Sequence, residues 1–154
     1  AFSNFAQMPS QKREELNVVE VVKYSLDIFS EDYISYIPSK KSIIAELDKS
    51  QVIRIVTNLV KNSIQSLSEE EYKNIEVKVS ENNGDVIINI ADNGKGISEE
   101  DRERVFEPKF TTKSSGMGLG LPMIKNIVEA YNGTISFTSK LNKGTVFKVV
   151  LPKK

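Results

Sequence analysis

Gly116, Gly118 and Gly120 alternate along the chain and run into a segment in which Ile124, Ile127, Val128 and Tyr131 recur at helical spacing. Glycines leading into a helix N-terminus bring backbone N–H groups close to an anion, and the helix dipole favours negative charge there. The spacing is GxGxG, which is neither the GxGxxG of a Rossmann turn nor a GxxxxGK[ST] phosphate loop. Alone it fits a flexible loop before a surface helix equally well. Asn58 and Asn62 lie four residues apart on an otherwise apolar helical pattern, so their amides point the same way. Asparagine is a poor helix-interior residue because its side chain competes for backbone hydrogen bonds. The plain reading is that both face water. The chemical one is a site for phosphate or for a hard cation such as Mg²⁺, which keeps several waters and binds largely through phosphates. Asp92 ends a strand pattern just before Asn93-Gly94-Lys95-Gly96. It offers an acceptor-only carboxylate beside backbone that a ligand can approach closely, although an acidic turn is commonplace. Phe106, Phe110, Thr111, Thr112 and Lys113 then read as a flap, about residues 107–118, whose lysine could reach phosphate oxygens.

The elements that must position these groups follow from periodicity. Asp48 opens a long helix with Gln51 at its N3 position, running to about Leu67. Val52, Val56, Leu59, Ser63 and Leu67 form one buried stripe of it, with Ile53, Val60 and Ile64 alongside. Asn17 caps an earlier helix carrying Val18, Val21, Val22, Leu26 and Phe29, with Glu20 placed for a capping box. Residues 33–37 and 43–47 alternate as strands, with Lys40 and Lys41 in the turn between them. Residues 74–80 and 85–92 flank the hairpin turn NNGD. Ser98 caps a short helix to about Val105, Asn132-Gly133 stops the last helix, and 134–140 and 145–151 close the chain as a hairpin around Asn142-Lys143-Gly144. At the start, Phe2, Phe5 and Met8 form a helical apolar face broken by Pro9, and 11–15 is a charged run. Residues 1–16 are therefore expected to be the end of an upstream helix and a solvated linker.

The chain has 154 residues, the size of one domain able to bury its own core. Lys plus Arg and Asp plus Glu are equal at 21 each, so no global basic field recruits nucleic acid or an acidic membrane surface. Cysteine is absent, which removes a disulfide framework and thiolate metal sites and fits a reducing compartment. Histidine is absent too, so imidazole acid–base work, His metal ligation and a phosphohistidine within this chain are all excluded. No apolar run is long enough to span a bilayer, and no secretory signal opens the sequence.

Four separated stretches point one way. NLVKN at 58–62, DNGKG at 92–96, FEPKF at 106–110 and GMGLG at 116–120 resemble, in order, the N, G1, F and G2 boxes of the catalytic, ATP-binding domain of sensor histidine kinases, within the GHKL superfamily. The resemblance covers about residues 17–152. The flap FTTK with GMGLGLP, and FSNFAQMP at 2–9, are most similar to the nitrogen-regulation type, the latter to the end of its dimerisation hairpin. The implied fold is α+β, the Bergerat fold: a two-layer sandwich with a mixed, mostly antiparallel sheet of about five strands on three helices. The implied domain is 17–154.

The resemblance also assigns roles. Asp92 accepts a hydrogen bond from the exocyclic amine of adenine, supported by Thr145, directly or through water, so ATP is preferred over GTP. Gly94 and Gly96 make room beside the base. Asn62 is the expected Mg²⁺ ligand and Asn58 orders the same region. Lys113 contacts the terminal phosphate, with Gly116, Gly118 and Gly120 offering amides, and Phe106 and Phe110 anchor the flap. Gln65, Ile97, Thr112, Leu119 and Leu121 complete the expected nucleotide-binding set. Asn58 and Lys113 are the residues expected to serve catalysis. Gln65 and Ser66 depart from the pattern, since many members carry a basic residue and an aromatic there. Lys109 stands where the nitrogen-regulation type usually has a second phenylalanine. Hydrolytic members place a glutamate where Asn58 stands, so weak ATP hydrolysis is expected, with phosphoryl transfer to a histidine on a dimerisation domain absent from this chain and relay to a response regulator. The chain should bind ATP without autophosphorylating, be monomeric on its own and homodimeric at full length. It should be cytoplasmic and make no direct membrane contact, whether or not the full-length protein is anchored in the inner membrane. Two alternatives share the fold: a GHKL serine kinase of the anti-sigma type, which usually has a glutamate at the Asn58 position, and a degenerate interaction module without nucleotide binding.

Overall fold

Strict alternation along the strands sets the layering. The computed structural model describes residues 11–67, 72–107 and 117–154, with the backbone alone for 117–119. The described elements are β1 (Glu14–Asn17), α1 (Val18–Leu26), β2 (Ile34–Pro38), β3 (Ile44–Leu47), α2 (Lys49–Ser66), β4 (Ile75–Asn82), β5 (Asp85–Asp92), α3 (Glu99–Arg102), α4 (Met117–Ala130), β6 (Thr134–Lys140) and β7 (Gly144–Pro152). Ile75, Val77 and Val79 of β4, Val86, Ile88 and Ile90 of β5, and Phe147, Val149 and Leu151 of β7 are buried, while the residues between them are not. One face of the sheet therefore meets the helices and the other meets solvent. The sheet order is β2-β4-β5-β7-β6, with β2 parallel to β4 and the other pairs antiparallel. This is the mixed, mostly antiparallel five-stranded sheet implied by the resemblance, packed under α1, α2 and α4.

Local chemistry fixes the joints. Asn83 and Gly84 both have positive φ, 50° and 86°, the pairing that a two-residue hairpin turn needs. Asn132 (φ 61°) ends α4, with Gly133 N–H bonded to Val128 C=O at 3.0 Å and Asn132 N–H to Glu129 C=O at 2.9 Å. Asn17 caps α1 through Oδ1, which accepts from Val19 N–H and also from Ile43 N–H, each at 3.1 Å. The cap thereby ties α1 to the start of β3. Tyr36 of β2 donates its hydroxyl to Val19 C=O at 2.7 Å, and burial pushes that phenol up to about 12.

Two expectations are corrected. Residues 33–37 and 43–47 both supply strands, as read, but the turn between them does not pair them with each other. β2 joins the main sheet, whereas β3 pairs antiparallel with β1 in a separate two-stranded sheet. The charged run before Asn17 is also more than solvated linker. Glu14–Asn17 is β1, Lys12 N–H bonds to Asp48 Oδ2 at 2.9 Å, and the Arg13 guanidinium lies 4.6 Å from the centre of the Tyr131 ring. Such contacts come from pairing across the fold, which the polar Glu-Glu-Leu-Asn sequence does not announce. Smaller shifts occur at helix ends: α1 stops at Leu26, leaving Phe29 beyond it, and α3 stops at Arg102. No helix among the described residues is long and apolar enough to cross a membrane.

Candidate nucleotide-binding site

α2 supplies the floor of the site. Its N-cap is Asp48, whose Oδ1 accepts Ser50 N–H at 2.9 Å. Tyr131 Oη accepts Asp48 N–H at 2.9 Å and donates to Gln51 Oε1 at 2.7 Å. That network pins the start of α2 to the end of α4. With the helix so anchored, its period buries Val52, Val56, Leu59, Asn62 and Ser63 and leaves Asn58 half-exposed. Asn58 donates Nδ2–H to Arg54 C=O at 2.8 Å, one turn back. Its Oδ1 faces the start of α4, where a methyl added to Gly120 would stand 3.5 Å away. Asn62 is 9 % exposed, and among the described residues its Nδ2 has no hydrogen-bond partner. An amide N–H left open in this way calls for an acceptor, such as a phosphate oxygen.

Asp92 ends β5 beside it. Gly94 N–H donates to Oδ1 at 2.8 Å, and the Ser63 hydroxyl and Thr145 N–H also donate to the carboxylate. Burial pushes the Asp92 carboxyl up, and these three donors offset only part of that push. A carboxylate has about four acceptor positions, so one remains for an incoming donor. Thr145 lies opposite Asp92 in the β5–β7 register and is 5 % exposed. Its support for Asp92 is main-chain, while its hydroxyl lies 2.8 Å from Ser139 Oγ.

The loop after Asp92 is held on both sides. Lys95 N–H bonds to Ser66 C=O at 3.2 Å, and Asn93 accepts Asn74 N–H and donates to Tyr72 C=O, both at 2.8 Å. On the other flank Asn142 N–H bonds to Lys95 C=O at 2.7 Å, and Ile97 N–H to Ser139 Oγ at 2.8 Å. A Cβ on Gly94 would stand 2.6 Å from the Ser66 carbonyl oxygen and closer still to its Oγ. Gly96 has φ +76°, and a Cβ there would collide with Lys140 C=O. The two glycines are thus required by the protein's own close packing, a role nearer the backbone than the expected room beside a base.

Phe106 packs against the sheet, with its ring 6.1 Å from Phe137 and Lys125 Nζ 5.4 Å from its centroid. Ile97 is partly buried against the core, Leu121 is a core residue at 5 % exposure, and Gln65 is half-buried near the end of α2. The glycine run does not precede the last helix, as its spacing predicts. α4 begins at Met117, so Gly118, Leu119 and Gly120 lie in its first turn, and Pro122 follows inside the helix. Phe110, Thr112, Lys113 and Gly116 lie outside the described residues, as does Lys109. Asn93 and Ser139 take part without having been given a role from sequence, Ser66 was read there only as a departure from the family pattern, and Ser63 only as a position on the buried stripe. For Ser63 the signal was there: a hydroxyl at a position the helical stripe assigns to the core.

Among the described residues no group of three or more carboxylates, imidazoles or thiolates could hold a metal ion. A cation here would be held mainly by its ligand's phosphates, with the Asn62 amide oxygen as the protein's contribution.

Residues 47–154 match the family model described as histidine kinase-, DNA gyrase B- and HSP90-like ATPase. The chain belongs to that family. It is 31 % identical over 145 residues to the sensor histidine kinase ZraS of Salmonella typhimurium, covering 90 % of this chain and 31 % of that protein. A probable C4-dicarboxylate sensor kinase of Halalkalibacterium halodurans is 44 % identical over 106 residues, covering 67 % of this chain and 20 % of that protein. Among solved structures, a nucleotide-free form of the catalytic domain of the histidine kinase ThkA superposes with a TM-score of 0.82 at 28 % identity, covering 92 % of this chain and 96 % of that one. The chain therefore spans about a third or less of the sensor kinases it resembles, and nearly all of an isolated catalytic domain.

Proposed function

We propose that this chain is the ATP-binding catalytic domain of a sensor histidine kinase, transferring the γ-phosphoryl group of ATP to a histidine on a dimerisation domain outside this chain, for relay to a response regulator. The observation that carries the reading is the pairing of a half-buried carboxylate, Asp92, with an unpartnered buried amide, Asn62, on adjacent elements. Asp92 takes the adenine amine. A base presenting a carbonyl there would face an acceptor with an acceptor, which selects ATP over GTP. Lys113 and the amides of Gly116, Gly118 and Gly120 meet the phosphates, and Asn58 orders the floor between them. Mg²⁺, when bound, supplies charge neutralisation at the phosphate oxygens, with Asn62 as its protein ligand.

Phosphoryl transfer needs positioning and charge stabilisation more than covalent chemistry from the protein. The general base that activates water in hydrolytic relatives is missing, because Asn58 is a neutral amide already bonded to Arg54 C=O. The motifs of the flap and residues 2–9 support the nitrogen-regulation type. The balanced charge supports protein partners rather than nucleic acid. We place the domain, residues 17–154, in the cytoplasm, monomeric alone and homodimeric within the whole protein.

The test is transfer of a γ-phosphate label from ATP. A longer chain that includes the upstream histidine region should become labelled, while this chain, lacking histidine, should not. Label on this chain alone, or none on the longer one under conditions where it binds ATP, contradicts the proposal.

A further inference from the structure

Ser139, near the end of β6, touches both the loop after Asp92 and the first two residues of β7. Its Oγ accepts Ile97 N–H at 2.8 Å from the loop that follows Asp92. It donates to Gly144 C=O at 3.0 Å, at the start of β7. It also lies 2.8 Å from Thr145 Oγ1. A hydroxyl has one proton. With that proton directed to Gly144, the Thr145 hydroxyl is the donor to Ser139. Thr145 is the residue whose N–H reaches the Asp92 carboxylate. The carbonyl of Ser139 accepts in turn from Arg102 Nη2 of α3, so the hub is itself held from a fourth element. Nearby, Asn142 N–H donates to Lys95 C=O, and Gly96 packs on Lys140 C=O. The end of the β6–β7 hairpin thus clamps residues 95–97 along one flank. Ser139 is the side chain in that clamp which bonds both to the loop and to the strand supporting Asp92.

The geometry points to Ser139 as a positioning residue for adenine selectivity: its hydroxyl fixes the loop and Thr145 together, so that the free acceptor position of Asp92 is held where the base amine arrives. This rests on the nucleotide reading proposed above. Removing the hydroxyl strands Ile97 N–H and the buried Thr145 hydroxyl, and the loop and β7 lose their common tether. A binding energy difference that depends on one hydrogen bond is sensitive to such loosening, whereas phosphate contacts made elsewhere are not.

The experiment is calorimetric titration of the chain with ADP and with inosine diphosphate, which carries a carbonyl in place of the amine. Wild type is expected to prefer ADP. In Ser139→Ala, ADP affinity should fall about tenfold while inosine diphosphate affinity is unchanged, so that the preference collapses. Ser139→Thr, which keeps the hydroxyl, should restore it. Equal losses for both nucleotides would mean a merely structural role and overturn the inference, as would a Ser139→Ala chain that keeps the preference. A wild-type chain that binds neither nucleotide overturns the nucleotide reading itself, and this one with it. Should Ser139→Ala fail to fold, amide hydrogen exchange of wild type decides: Ile97 N–H is expected to be protected like its neighbours in β7, and free exchange there overturns the inference.

Discussion

Replacing Asp92 by asparagine exchanges a carboxylate for an amide of the same shape in a pocket that already supplies three donors. What the ligand loses is a charged acceptor for its amine. Hydrogen bonds to charged groups contribute about 1.5–3 kcal/mol, so the affinity for an adenine nucleotide should fall about 10- to 150-fold. What the fold loses is smaller. Burial pushes the Asp92 carboxyl above its ordinary 3.8, which means that holding the charge in the native state is unfavourable despite Gly94, Ser63 and Thr145. A neutral amide relieves that cost while giving up part of the donor pairing. The two changes oppose each other, and the thermal midpoint should move by less than about 4 °C. The same shift gives a pH signature. A carboxyl raised in the native state favours folding below its unfolded value, and that contribution is lost as pH rises through the native one. Nucleotide binding needs the ionised form, so affinity should weaken on acidification before pH 3.8 is reached, and Asp92→Asn should lack this dependence. Calorimetry for binding and a thermal melt on the same samples make the assay. Undiminished affinity in a folded Asp92→Asn chain refutes the reasoning, and so does a loss of binding that merely tracks unfolding.

Three further outcomes follow from the geometry. Gly94→Ala should cost about 1–3 kcal/mol in denaturant unfolding, and Ser66→Ala should not rescue it, because the obstructing Ser66 carbonyl oxygen at 2.6 Å remains. Tyr131→Phe strands Asp48 N–H and Gln51 Oε1 in a buried place and should also cost about 1–3 kcal/mol. Nucleotide affinity should hold, since that network sits at the opposite end of α2 from Asn62. Finally, hydrogen bonds from Lys153 and Lys40 hold the Glu81 carboxyl down at about 2, against an ordinary 4.5. Its stabilisation is present above the ordinary value and is lost as pH falls through about 2. The stability gap between wild type and Glu81→Gln should therefore be open at neutral pH, close towards pH 2, and shrink with added salt.

Much of the fold was legible because periodicity survives burial. The stripe Val52, Val56, Leu59, Ser63 on α2, the NNGD turn, and the Asn132 stop each follow from local chemistry and stand in the structure as read. What sequence did not disclose were pairings made across the fold. β1 has no apolar alternation and exists because β3 is beside it. β2 pairs in parallel with β4, which no short turn can signal. The four motifs led to the family, and Asp92, Asn58 and Asn62 fall on adjoining elements. The supporting hydroxyl of Ser139 was not legible, since serine carries no periodic signature and its importance lies in the Ile97 N–H, the Gly144 carbonyl and the Thr145 hydroxyl around it, whereas Ser63 showed only as a hydroxyl on the buried stripe. The glycines illustrate the same point from the other side. Their presence was plain, while the reason for Gly94 and Gly96, contact with Ser66 and Lys140, required the structure.

The central claim is an adenine-selective nucleotide site, and one titration tests it directly. The chain would be titrated with a non-hydrolysable ATP analogue and, separately, with the corresponding GTP analogue, each with and without Mg²⁺. The account predicts saturable binding of the adenine compound, strengthened by Mg²⁺, and binding of the guanine compound at least about tenfold weaker. Equal affinity for the two bases, or no binding of either by the folded chain, would contradict it.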